Sequence, residues 1–202
     1  NCYDPALFYP ASQNELLVNR YNLRDKDVLL TVGRLSSSER CKGFDEVIEL
    51  LPKLSRENSR IVYLVVGEGD DRPRLEEKAR ALGVTDKVIF AGYVEETEKA
   101  DHYRLADVFV MPSRGEGFGI VFLEALACGV PAIGSKLDGS REALADGRLG
   151  LLVDPTKPDE ICEAIRSALQ AGRDNPPEGL TEFSLCGFKE KAWKILDRAT
   201  QA

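Results

Sequence analysis

The chain has 202 residues, 43% of them hydrophobic, which is enough for one large core and short for two full domains. A formal net charge of -7 and a pI near 5.0 exclude a general grip on a nucleic-acid backbone, which needs a dominant basic surface, so any phosphate binding must be local. Five scattered cysteines (Cys2, Cys41, Cys128, Cys162 and Cys186) without C-x-x-C spacing point to a reduced intracellular protein and away from zinc, and no apolar run reaches membrane-spanning length.

Residues 1–26 read as an irregular lead-in that is neither basic nor followed by an apolar signal core. Strand-like apolar runs then alternate with amphipathic segments: DVLLTVG and FDEVIELLPKL, RIVYLVVG and RPRLEEKARAL, KVIFAGY and a polar helix ending near Leu105. The second half continues with ADVFVMP and GFGIVFLEALAC, VPAIGS and SREALAD, GLLV and PDEICEAIRSAL. A polar, proline-bearing stretch, AGRDNPPEGLTE, leads to a final helix, FKEKAWKILDRA. Continuous apolar strands separated by helices predict a parallel sheet covered on both faces, an α/β doubly wound fold. In such sheets ligands bind outside the carboxyl ends of the strands, which directs attention to the loops after Gly33, Val66, Ala91, Met111 and Ile133.

Three of those loops hold unusual residues. In GRLSSSERCKGFDE, Arg34 and Lys42 bracket a polar loop where a guanidinium fork and an ammonium suit two neighbouring phosphates, with Arg40 a competitor and ordinary solvated cations the plain alternative. In VGEGDDR two glycines allow a tight turn near a ligand, but the third glycine of a dinucleotide fingerprint is absent. In MPSRGEGFGIVFLE, Gly115, Gly117 and Gly119 alternate just before an apolar helix whose first amides would face the loop and form an anion or hydroxyl site.

Two carboxylates stand in that last stretch. Glu124 falls within IVFLEALAC, apolar on nearly every side, so it is expected to be buried and to need a partner, either a sugar diol or an adjacent loop cation. Glu116 sits in the glycine-rich turn, placed to accept from ligand hydroxyls or simply to face the positive helix end. His102, the single histidine, falls on a polar helix and reads as a surface or interface residue. With one histidine and no G-x-S-x-G elbow, hydrolase chemistry has little support. Phe188 and Trp193, at helical spacing, read as anchors for the last helix.

Taken together, TVGRL...KGFDE, FAGYV and SRGEGFGIVFLEALACGVPAI, with its two glutamates, resemble the C-terminal donor-binding domain of retaining glycosyltransferases of GT-B architecture, the group that includes sucrose synthase and bacterial mannosyl- and glucosyltransferases. The resemblance runs almost end to end. It implies a Rossmann-like sheet forming one half of GT-B, with residues 1–26 the interdomain connection, 27–171 the nucleotide-sugar domain, and 172–202 a linker and helix that would pack back on an N-terminal domain. It implies that Arg34 and Lys42 hold the diphosphate and, with Glu116 on the transferred sugar, form the catalytic set. Glu124 would take the ribose hydroxyls, Gly33, Gly117, Phe118, Gly119 and Ile120 would contact sugar and phosphates, and backbone near Tyr93 and Val94 would meet the base.

The implied donor is a UDP-, GDP- or ADP-sugar, with no cofactor and no metal. Implied partners are the acceptor-binding N-terminal domain, which is not in this chain, and through it the inner face of a cytoplasmic membrane. This domain by itself is expected to bind nucleotide without transferring sugar. Two departures from the family pattern are Cys2, where relatives often have glycine, and a long loop from Ser36 to Cys41 that bears on the placement of Lys42. A sugar-nucleotide epimerase of similar fold, and a non-catalytic domain that senses nucleotide-sugar or mediates assembly, are the competing readings.

Overall fold

The computed structural model describes residues 1–200, and the side chains of all of these except 195, 196 and 198–200. Six parallel strands form one sheet: β1 (Asp27–Val32), β2 (Ile61–Val66), β3 (Val88–Gly92), β4 (Val108–Val110), β5 (Ala132–Ser135) and β6 (Leu151–Val153). Their spatial order is β3-β2-β1-β4-β5-β6, so the chain reverses direction of growth between β1 and β4, and a crevice opens there at the carboxyl ends. The doubly wound α/β expectation holds.

Side-chain alternation divides the core into two layers. Leu29, Tyr63, Val65, Val108, Val110 and Ile133 face a layer closed by α2 (Phe44–Glu57), α3 (Arg72–Ala81) and α7 (Pro158–Ala171). Val28, Leu30, Val32, Leu64 and Phe109 face the other, closed by α4 (Glu96–Leu105), α5 (Ile120–Ala127) and the short α6 (Ser140–Ala143). Every residue of β2 is buried, as a central strand covered on both faces requires. Each such Val or Leu contributes about 1.5–3 kcal/mol by leaving water. Two hydroxyls on neighbouring strands are satisfied in series: Tyr63 Oη donates to Thr31 Oγ1 at 2.7 Å, which donates to the Val110 carbonyl at 2.5 Å.

Three expectations change. Residues 1–26 are not irregular throughout: α1 (Glu15–Arg20) forms there, begun by Asn14, whose side chain accepts from the Leu16 amide at 3.0 Å. The segment packs across α4, with Phe8 edge-on to Tyr103 and the Arg104 guanidinium donating to the Tyr9 carbonyl at 3.0 Å. That covering buries His102, which is only 1% exposed, between the Tyr21 hydroxyl at 3.1 Å and the Glu98 carbonyl at 3.0 Å, so it is not a surface residue. In the last helix, α8 (Leu185–Thr200), Phe188 and Trp193 are 45% and 65% exposed and do not anchor the helix on this chain. Backbone bonds tie the start of that helix to the N-terminal segment: Tyr3 N–H donates to the Phe183 carbonyl and Leu185 N–H to the Tyr3 carbonyl.

Candidate functional site

Two hollows of about 620 and 340 Å³ open at the carboxyl ends of β1 and β4. They share Val32, Gly33, Arg34, Lys99 and Val121, so they form one cleft with two compartments. Arg34, Lys42, Glu116 and Glu124, all singled out from the sequence, line the larger one together with Gly33, Gly117, Phe118, Gly119 and Ile120. Val94 and Tyr93 line the smaller. The set gathered from three separate loops and α5 therefore converges on one place.

Lys42 is delivered by the turn into α2. Gly43, the residue before that helix, has φ +85°, and a Cβ there would lie 2.7 Å from the Pro112 ring, so only glycine lets the Lys42 loop sit against the end of β4. The Lys42 ammonium is largely covered and stands 2.7 Å from Glu116 Oε2. Arg34 is different. Its side chain is 76% exposed and pairs with Glu39 at 3.0 Å, a surface contact easily exchanged for an anionic ligand. Arg40 does not compete for the site: it pairs at 3.1 Å with Asp71 at the start of α3.

The glycine-rich loop is built by close approach. Gly119 has φ +88° and a Cβ there would lie 2.5 Å from the Phe122 ring, so this glycine has a conformational purpose that the sequence did not reveal. Gly117 meets nothing within 4 Å, and its face is open to the cleft. Phe118 lines the cleft and its ring lies 6.2 Å from that of Phe183. The amides of Ile120 and Val121 precede any intrahelical acceptor and sit at the positive end of α5, which favours anions by about 0.3–1 kcal/mol.

Glu124 is buried, as expected, but its partners come from α4 and not from a loop. Tyr103 Oη donates to its Oε2 at 2.6 Å and Lys99 Nζ stands 3.3 Å from its Oε1. Lys99 also pairs with Glu96 at 2.9 Å. Burial opposes the lysine's charge, but Glu124 and Glu96 outweigh it and hold its pKa above the ordinary lysine value. Burial, reinforced by the neighbouring Glu124 carboxylate, raises the Tyr103 phenol well above its usual value, so the phenol stays a donor. The protein partners occupy one lone pair on each oxygen, which leaves Glu124 capacity to accept from a diol in the cleft.

The glycines of VGEGDDR serve packing. Cβ atoms at Gly67 and Gly69 would each fall 2.0 Å from a carbonyl oxygen of the β1 loop, Gly33 and Leu35 respectively. Sequence reasoning also missed Lys99, Tyr103, Ser113 and Asp138. Tyr103 lies in the last turn of the helix leading into β4 and Lys99 about one turn before it, a placement that pattern alone does not distinguish from a solvated face. The signal for Asp138 was available: LDGS follows β5 at a strand carboxyl end.

Fold and site together define a cleft lined by charged side chains at the switch point of a doubly wound sheet. The family model for glycosyl transferases group 1 matches residues 14–180, and the chain belongs to that family. It is 38% identical over 157 residues to the GDP-mannose-dependent alpha-(1-6)-phosphatidylinositol monomannoside mannosyltransferase of Mycolicibacterium smegmatis, covering 74% of this chain and 40% of that protein. With D-inositol 3-phosphate glycosyltransferase 2 of Catenulispora acidiphila the identity is 37% over 168 residues, 79% of this chain and 38% of that one. Sucrose-phosphate synthase from Thermosynechococcus elongatus matches with a TM-score of 0.79 at 26% identity, over 99% of this chain and 51% of that chain. Anabaena HepE in complex with UDP and glucose shares the fold, with a TM-score of 0.82 at 22% identity over 98% of this chain and 55% of that chain. The chain spans about two-fifths of the length of the curated relatives it matches, and its sheet is one half of the GT-B architecture.

Proposed function

We propose that this chain is the nucleotide-sugar-binding domain of a retaining glycosyltransferase that moves a hexosyl group from a nucleoside-diphosphate sugar to an acceptor in glycan or glycolipid synthesis. The observation that carries the reading is the convergence of Arg34, Lys42, Glu116, Glu124 and the start of α5 on one cleft. Membership of the glycosyl transferases group 1 family favours it over the epimerase reading. The fold neighbour HepE was solved with UDP and with UDP-glucose, and the mycobacterial relative is by name GDP-mannose-dependent, so the base and sugar of this chain's donor are to be found by titration.

In this reading the diphosphate lies between the two cations and the α5 amides. As the nucleoside diphosphate departs, negative charge grows on the leaving oxygen while the anomeric carbon takes on oxocarbenium character. Fixed cations and amides that strengthen as the charge develops lower that barrier. Glu116 accepts from hydroxyls of the transferred sugar, and Glu124, held by Tyr103 and Lys99, takes the ribose diol. The acceptor attacks the same sugar face that the diphosphate leaves, which retains configuration, and no metal takes part. Acceptor binding, closure of the cleft and contact with the inner face of a cytoplasmic membrane fall to a companion domain. Among the described residues no helix is long and apolar enough to cross a membrane.

Calorimetric titration of the chain with UDP, GDP and ADP, followed by the matching nucleotide-sugars, tests the reading. Selective binding of one nucleotide, tightened or retained with its sugar, is the expected outcome. A folded chain that binds none of them, in isolation and joined to its companion domain, would remove it.

A further inference from the structure

The loop after β5 is fastened to the glycine-rich loop by one side chain. Asp138 accepts four hydrogen bonds: Oδ2 from Ser113 Oγ at 2.6 Å and from the Glu116 amide at 2.9 Å, Oδ1 from the Ser140 amide at 3.0 Å and from Ser140 Oγ at 2.6 Å. Ser113 and Ser140 are both fully buried. The connection is returned through the backbone, where Gly139 N–H donates to the Glu116 carbonyl at 2.8 Å. The two loops touch so closely that a Cβ on Gly139 would lie 2.1 Å from the Gly117 carbonyl oxygen.

Asp138 does not line the cleft. Its donors nevertheless bracket Glu116 and lie beside Gly117, two residues that do. Only a group with two acceptor oxygens suits the arrangement. The serine hydroxyls can reverse their roles, but the Glu116 and Ser140 amides cannot, so an asparagine in the same place would turn its NH2 against one of them.

We propose that Asp138 is a positioning residue that presets the Gly115–Gly119 loop, and with it the Glu116 carboxylate, for the sugar moiety of the donor. The ligand half of this inference rests on the nucleotide-sugar reading; the anchoring half rests on the loop geometry alone. Asp138 acts on the sugar side of the cleft because its bonds reach the Glu116 amide, while its neighbour Gly139 packs on Gly117, and its bonds do not reach Arg34, Lys42 or Glu124.

Asp138→Asn and Ser113→Ala separate these parts. Hydrogen exchange at the amides of residues 116–119 is expected to speed up by about tenfold in Asp138→Asn, while amides of β1 and β2 keep their protection. Ser113→Ala, which keeps the Glu116 amide bond, is expected to change it less. In titrations with GDP, GDP-mannose, UDP and UDP-glucose, Asp138→Asn should hold the affinity for the preferred bare diphosphate within about threefold and lose at least about fivefold more on the corresponding sugar. Unchanged exchange in the loop overturns the anchoring. Equal losses for diphosphate and nucleotide-sugar, accompanied by a lower melting temperature, overturn the positioning role in favour of general stability. Wild-type chain that binds none of the four probes removes the nucleotide-sugar reading and the ligand half with it, and leaves the exchange result to decide the anchoring.

Discussion

Lys42 Nζ stands 2.7 Å from Glu116 Oε2, a charge pair that links the loop after β1 to the loop after β4. Both side chains are mostly covered, at 17% and 16% exposure. In the proposed complex each would meet a different part of one donor, Lys42 the phosphates and Glu116 the sugar. Without a donor the two neutralise each other, so the cleft does not hold an unpaired charge at this point.

Replacing either partner should therefore have unequal effects. Lys42→Ala is expected to weaken nucleoside-diphosphate binding by about tenfold or more, the loss of one charge-assisted phosphate contact. Glu116→Gln is expected to leave bare diphosphate binding unchanged or slightly tighter, because it frees Lys42, while lowering affinity for the nucleotide-sugar. Calorimetry with both ligands on both variants checks the pattern; a Glu116→Gln chain that loses diphosphate as strongly as Lys42→Ala would contradict it.

Glu124→Ala is expected to cost more than about tenfold in nucleoside-diphosphate affinity with the fold intact. The milder Glu124→Gln keeps an acceptor for Tyr103 and removes the ion pair with Lys99. Comparing a nucleotide with its 2′-deoxy form shows whether the ribose is the reason. Wild-type chain should prefer the ribonucleotide and both variants should lose the preference; wild-type indifference to the 2′-hydroxyl would end the ribose role, and an unfolded alanine variant would mark Glu124 as structural.

The two glycines flanking Phe118 should behave oppositely. Gly119→Ala places a Cβ at positive φ and against the Phe122 ring, and is expected to destabilise the chain by about 2–4 kcal/mol in denaturant melts. Gly117→Ala meets no atom within 4 Å and should change stability by less than about 1 kcal/mol. Because that Cβ enters the cleft region, donor affinity should fall while the melt stays where it was. Comparable melts for the two variants would mean that the loop does not hold the described backbone.

Acid stability should depend on Asp45. Burial pushes this carboxyl up, but hydrogen bonds and charge from Arg74 and Lys78 outweigh it and bring the pKa from 3.8 to about 2. A carboxyl held below its unfolded value adds stability at pH above that unfolded value and gives it up as pH falls through the folded one. The contribution is about 2 kcal/mol at neutral pH and is lost between roughly pH 5 and pH 2. Asp45→Asn should flatten the stability profile in that window, and an unchanged acid limb in the variant would contradict the assignment.

Much of this was readable along the chain. The six strands showed themselves as apolar runs because a parallel sheet buries both faces, and α2, α5 and α7 followed them with the lengths expected of crossovers. Arg34, Lys42, Glu116 and Glu124 were legible because a charge in a strand-end loop or an apolar helix is costly without a purpose. His102 was misread for a definite reason: α4 has polar residues on all sides, and nothing local announces that α1 lies across it. Phe188 and Trp193 were misread the other way, since helical spacing of aromatics implies burial and their faces are open on this chain.

The sequence by itself determined the order of the elements, the identity of the family and the loops that carry the chemistry, because periodicity and local composition act over a few residues. Only the tertiary structure decided which groups complete the site. Asp138 meets Glu116 across 22 residues, Tyr103 meets Glu124 across 21, and Lys42 meets Glu116 across 74. Such pairings depend on how β1, β4 and β5 are ordered in the sheet, and strand order is set by the packing of the whole core, not by any stretch of residues read alone.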